Sequence, residues 1–335
     1  MLKKIIYLII YYIYILSFSQ IVTLGSYLGG KQYSKIGSLI SKNVLSDILP
    51  YIYQNGFDST IYYSGNYNKT DKIDIMIGNH LNMIDFTIYI SIIKQFDNRD
   101  IYLVVKKEII FIPGAGFIVG TAPDIKMNRK YEDDKDTIIN TIKKIKNGII
   151  IIMPEGARYT TEKKNLAQKY SNANNLHVFN NMLYPKMKGL WLILKCLQEN
   201  NKLGNIIDLT VVIENYKKKE LSTTDVFKTK LGDTFVIISS YDNHYYMPGV
   251  NDYDIFKSWF IEKWKIKDNI LDKIFTKDDN YIYKKLNTIF PTSSYILLLI
   301  ISSLFIYLMV KSNGLFLPLS LVITYIITYI RYKMI

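Results

Sequence analysis

Residues 75–85 read IMIGNHLNMID, and they set a histidine and an aspartate, His80 and Asp85, five positions apart just past an apolar run. Histidine is the side chain whose ordinary pKa lets it take and give a proton near neutral pH. A carboxylate bonded to one ring nitrogen fixes the tautomer and leaves the other nitrogen free as a general base. Residues five apart on one ideal helix point about 140° away from each other. The pair can therefore meet only if His80 sits in a strand-to-helix turn and Asp85 in the first helical turn. A zinc pair would ask for histidines at i and i+4. Three isolated histidines and a single cysteine, Cys196, supply no such set, so no metal site is expected. Alone, H-x4-D is a weak pattern, because a helix-capping His followed by an Asp in the first turn reads the same way.

Further candidates follow along the chain. Lys106 ends the apolar run Ile101 to Val105, Pro113-Gly-Ala-Gly116 turns the chain, and Arg129 follows a short apolar segment. MPEGARYTTEKK then brings Glu155, Gly156 and Arg158 directly after another apolar run. Glycine lets a backbone approach a ligand closely, and arginine can grip phosphate or carboxylate through two parallel bonds. Taken singly, each basic residue reads as a solvated surface charge. Together, a histidine base and three cations past strand ends suit an anionic substrate.

The elements that must hold these residues are legible. Ile73 to Ile77, Ile101 to Val105, Ile149 to Met153, Leu209 to Ile213 and Phe235 to Ser239 read as strands, being short runs rich in β-branched residues and ended by polar or turn residues. EDDKDTIINTIKKIKNG reads as a helix, with Ile138, Ile142 and Ile145 on one side, acidic residues at its start, lysines at its end and Gly148 as its stop. Tyr253 to Phe275 reads as a second helix. Alternating strands and helices predict an α/β fold, a mostly parallel sheet flanked by helices, with ligands bound beyond the strand ends.

The chain has 335 residues, room for one large domain and extra elements. Ser293 to Val310 is an uncharged run of 18 residues and Leu315 to Ile330 one of 16, joined by Lys311-Ser-Asn-Gly; they predict a membrane hairpin. The N-terminus, MLKKIIYLIIYYIYILSFSQ, could be a cleaved signal, a retained anchor or an interfacial helix, and retention is favoured because the rest of the chain looks cytosolic. The expected division is a membrane segment at 1–30, a catalytic domain at 31–290 and the hairpin at 291–335. Lys284, Lys285, Arg331 and Lys333 outnumber the lone Lys311 of the turn, which places the domain on the cytosolic side. A net charge of +13 asks for a polyanionic partner, whether nucleic acid, anionic lipid or a phosphate-bearing cosubstrate. A nucleic-acid binder would leave the membrane hairpin without a purpose.

In order, these motifs resemble the 1-acylglycerol-3-phosphate acyltransferase family of membrane glycerolipid acyltransferases. Asn79, His80 and Asp85 match its N-H-x4-D, Gly116 to Arg129 its second motif, and Glu155, Gly156 and Arg158 its E-G-T-R, with Ala157 in place of threonine. N-R-K-Y-E-D-D at 128–134 and L-Y-P-K-M-K-G at 183–189 resemble the branch containing lysocardiolipin and lysophosphoinositide acyltransferases. The resemblance covers roughly 70–275. It implies a glycerol-3-phosphate acyltransferase-like fold and transfer of an acyl chain from acyl-CoA to a lysophospholipid hydroxyl, with no bound cofactor. It also implies residence in an endoplasmic-reticulum-type membrane. His80 would be the base, Asp85 its orienting carboxylate and Asn79 a supporting residue. Lys106, Arg129 and Arg158 would bind the acceptor phosphate, with Glu155 and Gly156 shaping the pocket. Backbone N–H groups at the helix after His80 would stabilise the oxyanion. The sequence has no G-x-S-x-G elbow for an acyl-enzyme. A CoA-independent transacylase using the same pair and an inactive membrane scaffold are the alternatives.

Overall fold

Five apolar runs fold as the expected strands, and three shorter strands join them. In chain order these are β1 (Ile61–Ser64), β2 (Ile73–Gly78), β3 (Ile101–Lys106), β4 (Ile125–Met127), β5 (Gly148–Ile152), β6 (Leu203–Ile213), β7 (Thr234–Tyr241) and β8 (Lys284–Lys285). The structure, a computed structural model, describes residues 47–112, 124–217, 231–241 and 250–287 apart from 48, 58 and 83, together with residue 119 and scattered positions between 296 and 312. Among the described residues the strands form one sheet of order β4-β3-β5-β2-β6-β7-β1-β8. From β4 through β6 every neighbouring pair is parallel; β6 with β7 and β1 with β8 are antiparallel.

Helices cover both faces. α1 (Leu49–Gly56) and α2 (Asp85–Phe96) lie on one, where Tyr53, Ile88 and Ile92 pack with Met76, Ile149, Ile151 and Leu209. α3 (Tyr131–Lys144), α5 (Met187–Glu199) and α6 (Tyr253–Thr276) lie on the other, where Ile138, Ile142, Ile193, Phe260 and Trp264 meet Ile73, Ile75 and Ile77. Burial on both faces explains why β5 is apolar throughout and β2 apolar but for Asp74, with no alternation in either. α4 (Thr161–Ala173) is set apart, with Ser171 its one buried residue. Its start is a side-chain cap, the Thr160 hydroxyl accepting from Lys163 N–H at 3.2 Å.

Two expectations are corrected. Gly148 does not stop α3, which ends at Lys144; it opens β5 with φ 128°, a conformation that suits a residue lacking Cβ. The short β4 falls in a stretch read as a turn plus an apolar segment, and its three residues carry too little pattern to identify alone. Among the described residues no helix is long and apolar enough to cross a membrane. The expected anchor at 1–30 and Gly116 lie outside the described residues, as does most of the 291–335 hairpin; Ile296, Ile300, Ser303, Tyr307, Leu308, Val310 and Lys311 are described there and are helical.

The strand starts are tied by one arginine. Arg99 Nε and Nη2 donate to Asp97 at 2.8 and 2.6 Å, Nη1 donates to the carbonyls of Thr70 and Lys72 at 2.6 and 2.7 Å, and Nη2 also pairs with Asp74. Asp74 is fully buried and also accepts from Thr70 and Asn205 amides, at 3.1 and 2.6 Å. Removing the arginine would strand two buried carboxylates. Arg99→Met is expected to lower stability by about 3–5 kcal/mol, seen as a fall in urea midpoint at constant slope.

Candidate active site

Parallel strands share a direction, so the segments leaving β2, β3, β4 and β5 emerge at one edge of the sheet. β2 ends at Gly78, pressed against the ring of Tyr89; a Cβ at Gly78 would overlap that hydroxyl, which donates to Asn79 O at 2.6 Å. Asn79 itself is buried and lies beside β6 like an added peptide. Its Nδ2 donates to Val211 O at 2.9 Å, and its Oδ1 accepts from Val211 N–H at 2.8 Å. The chain then turns through His80 into α2, whose first residue is Asp85.

The reach demanded by the five-residue spacing is present. His80 Nδ1 stands 2.9 Å from Asp85 Oδ2, and the same oxygen accepts from Asn82 N–H at 2.8 Å. Asp85 is wholly buried, whereas the His80 side chain keeps 22% of its exposure. Burial pushes the Asp85 carboxyl above its usual range, opposed by the bonds from His80 and the backbone. The Asn82 side chain in turn accepts from Ile84 N–H at 2.8 Å. The amides of Asn82 and Ile84 in the turn before the helix are thus bonded to side chains of the turn itself.

Glu155 also differs from its expected place in the pocket wall. It is buried, and its two oxygens accept from His80 N–H at 2.7 Å and Leu183 N–H at 2.9 Å. Tyr159 N–H donates to His80 O at 2.7 Å, so the loop from Glu155 to Tyr159 grips His80 by both its backbone groups. Burial pushes the Glu155 carboxyl up to about 8, against the two amides and the nearby charge of Lys267. With both oxygens accepting, the ionised form fits the geometry. Glu155 thus holds the backbone of His80.

Lys267 of α6 is buried beneath this loop, donating to Leu209 O at 2.9 Å and paired with Asp208 of β6. The stretches that hold them, D-L-T-V-V-I from Asp208 and W-F-I-E-K-W-K-I-K-D through Lys267, carry a resemblance to the lysocardiolipin and lysophosphoinositide acyltransferase branch, with no role expected for either residue. The adjacent Asp268 holds the approach to Leu183, accepting from the amides of Asn180 and Asn181 at 3.0 and 2.8 Å.

The cations spread along the edge. Gly156 (φ 64°) and the exposed Arg158 follow β5, the neighbour of β2. Lys106 ends β3, is exposed, and lies 3.4 Å from Glu108. Arg129 follows β4, three strands from His80, a distance of about 14 Å at normal strand spacing. Its backbone has φ 69°, held by Asp134, which accepts from Asn128 and Arg129 N–H at 2.6 and 2.8 Å. The structure thus gathers Asn79, His80, Asp85, Glu155 and Gly156, with Arg158 adjoining, and keeps Lys106 and Arg129 at a distance. Among the described residues no cluster of His, Cys, Asp and Glu could hold a metal.

An amide in place of Glu155 could accept only one of the two N–H groups and would face the other with its own donors. Glu155→Gln is expected to destabilise the protein by about 1–3 kcal/mol, measurable by denaturant unfolding.

Residues 61–195 match the acyltransferase family. The chain is 26% identical over 160 residues to lysocardiolipin acyltransferase 1 of Gallus gallus, covering 46% of this chain and 42% of that protein. It is 23% identical over 234 residues to a probable 1-acyl-sn-glycerol-3-phosphate acyltransferase 5 of Arabidopsis thaliana, covering 68% and 60%. It is 26% identical over 154 residues to 1-acyl-sn-glycerol-3-phosphate acyltransferase delta of Rattus norvegicus, covering 43% and 40%. The matches thus span about half the length of these relatives. No solved structure matches the chain significantly. With its motifs in order along one sheet edge, the chain is similar over residues 61–195 to the acyltransferase family, and the relatives it matches include 1-acyl-sn-glycerol-3-phosphate and lysocardiolipin acyltransferases.

Proposed function

We propose that the protein is an acyl-CoA:lysophospholipid O-acyltransferase that works on acceptors held in a bilayer. The observation that carries this reading is the His80–Asp85 contact of 2.9 Å just past the end of β2, made by a histidine side chain that keeps part of its exposure. In the reaction, His80 Nε2 takes the proton of the lysolipid hydroxyl as its oxygen attacks the thioester carbonyl. The tetrahedral intermediate collapses, the carbon–sulfur bond breaks, and the imidazolium returns the proton to the departing thiolate of CoA. Asp85 holds the ring and stabilises its cationic form. General-base assistance of this kind contributes about 10²–10⁴ in rate. No residue need be acylated, and Cys196 is buried on α5.

Arg158, next to the His80 loop, takes the acceptor phosphate; Arg129 and Lys106 extend the cationic edge towards β4. The uncharged segments at either end keep the domain at a membrane, in an endoplasmic-reticulum-type compartment with the catalytic domain on the cytosolic side. A transacylase would use the same pair with a phospholipid donor, and assays with and without acyl-CoA separate the two. The direct test is the purified chain in detergent with a panel of lysophospholipids and labelled acyl-CoA, the products identified by mass spectrometry. Labelled phospholipid formed only when acyl-CoA is present supports the reading; no transfer to any lysolipid overturns it.

His80→Ala is expected to reduce turnover by at least the 10²–10⁴ or so that a general base supplies, with unfolding unchanged. Asp85→Asn should be severely impaired through a wrong tautomer or a freed ring. Single-turnover rates decide both, and a near-native rate in His80→Ala would show that another group is the base. Arg158→Lys keeps the charge but loses the planar fork, so the KM for the lysolipid should rise more than that for acyl-CoA, and more than in Arg129→Lys. Equal rises for both substrates would remove Arg158 from the phosphate.

A further inference from the structure

The loop that grips His80 is itself held from its far side. Lys186 N–H donates to Pro154 O at 2.7 Å, and Leu183, three residues earlier, donates to Glu155. The Lys186 side chain then runs across Gly156. A Cβ built on that glycine would stand 3.2 Å from Lys186 Cδ, 3.8 Å from Cε and 3.9 Å from Nζ. The missing side chain of Gly156 therefore gives the lysine its path, while φ 64° independently favours glycine there. Arg158 is two residues along the same loop, and His80 is bonded to that loop on both sides of Gly156.

Lys186 is exposed, yet none of the ion pairs among the described residues includes it. Its neighbour in space, Glu155, is buried and committed to two amides. The ammonium thus adds a positive charge, unpaired among the described residues, to the loop carrying Arg158 beside the proposed base. A guanidinium fork and a lysine point charge make complementary phosphate ligands. A phosphomonoester carries about −1.5 to −2 near pH 7, whereas a phosphodiester carries a single charge, so an extra cation favours the monoester.

We propose that Lys186 is a further acceptor-binding residue, whose ammonium joins Arg158 on the lysolipid phosphate and biases the site towards acceptors ending in a phosphomonoester. This rests on the acyl-transfer reading of the same site. The motif containing Lys186 was singled out in the sequence only for its resemblance, with no role for the lysine.

The test uses the full chain in detergent, as wild type, Lys186→Met and Lys186→Arg, with Lys164→Met as a control for lost surface charge. Binding of lysophosphatidic acid and of lysophosphatidylglycerol is measured first, without acyl-CoA. Lys186→Met should weaken lysophosphatidic acid binding roughly three- to tenfold, weaken lysophosphatidylglycerol binding less, and be largely rescued in Lys186→Arg. Equal affinities in wild type and Lys186→Met, or the same loss for both lipids or in Lys164→Met, would overturn the proposal. Steady-state assays with acyl-CoA follow. A rise confined to the acyl-CoA KM would also overturn it, by moving the lysine to the phosphates of CoA. Lys186-dependent lysophosphatidic acid binding without any acyl transfer would uphold the cation and overturn the reaction.

Discussion

A carboxylate with two backbone amides, Glu155 between His80 and Leu183, is the contact on which the site depends. It ties the segment after β5 to the turn after β2 on one side and to the approach to α5 on the other. Tyr159 closes the same loop onto the His80 carbonyl, so the histidine cannot shift without breaking bonds on both its backbone groups. The imidazole is then aimed by Asp85, itself fixed at the first position of α2. The glutamate of the E-G-A-R segment acts on the backbone of His80, while the arginine of the same segment is exposed.

The two ends of the sheet do different work. At the strand starts Arg99 binds Asp74, Asp97 and two carbonyls, an assembly spent on holding the chain. At the strand ends the polar groups include buried ones that hold backbone, such as Glu155 and Asn79, and exposed ones such as Lys106, Arg129 and Arg158. Beneath them the Asp208–Lys267 pair fastens α6 to the centre of β6, adjoining the loop that carries Glu155. A buried pair of this kind adds little net stability over a well-packed apolar pair, but it defines the register of a helix on a sheet strongly, since a misplaced lysine would be left unpaired.

Much of this was legible in the sequence for physical reasons. Strands covered by helices on both faces are mostly apolar, so the runs at 73–77, 101–105 and 149–153 announced themselves. The charge distribution along 132–144 marked a helix, and the spacing of His80 and Asp85 admitted contact only across a turn. What failed was local in scale. β4 and β8 are too short to carry a period, and Gly148 suited both a helix stop and the positive φ that opens β5.

The sequence by itself determined which groups are chemically able to act: a histidine base, its carboxylate, and cations placed beyond strand ends. Tertiary structure decided which of them stand together. Strand order is set by long-range pairing and burial that no local window contains, and it put β5 beside β2 and β4 three strands away, so Arg158 adjoins His80 and Arg129 does not. The same pairing turned Glu155 from a pocket residue into a backbone clamp and laid Lys186, thirty residues further on, across Gly156. A hydrogen bond or a close approach between distant segments exists only once the chain has folded, which is why residue types were readable in advance and these roles were not.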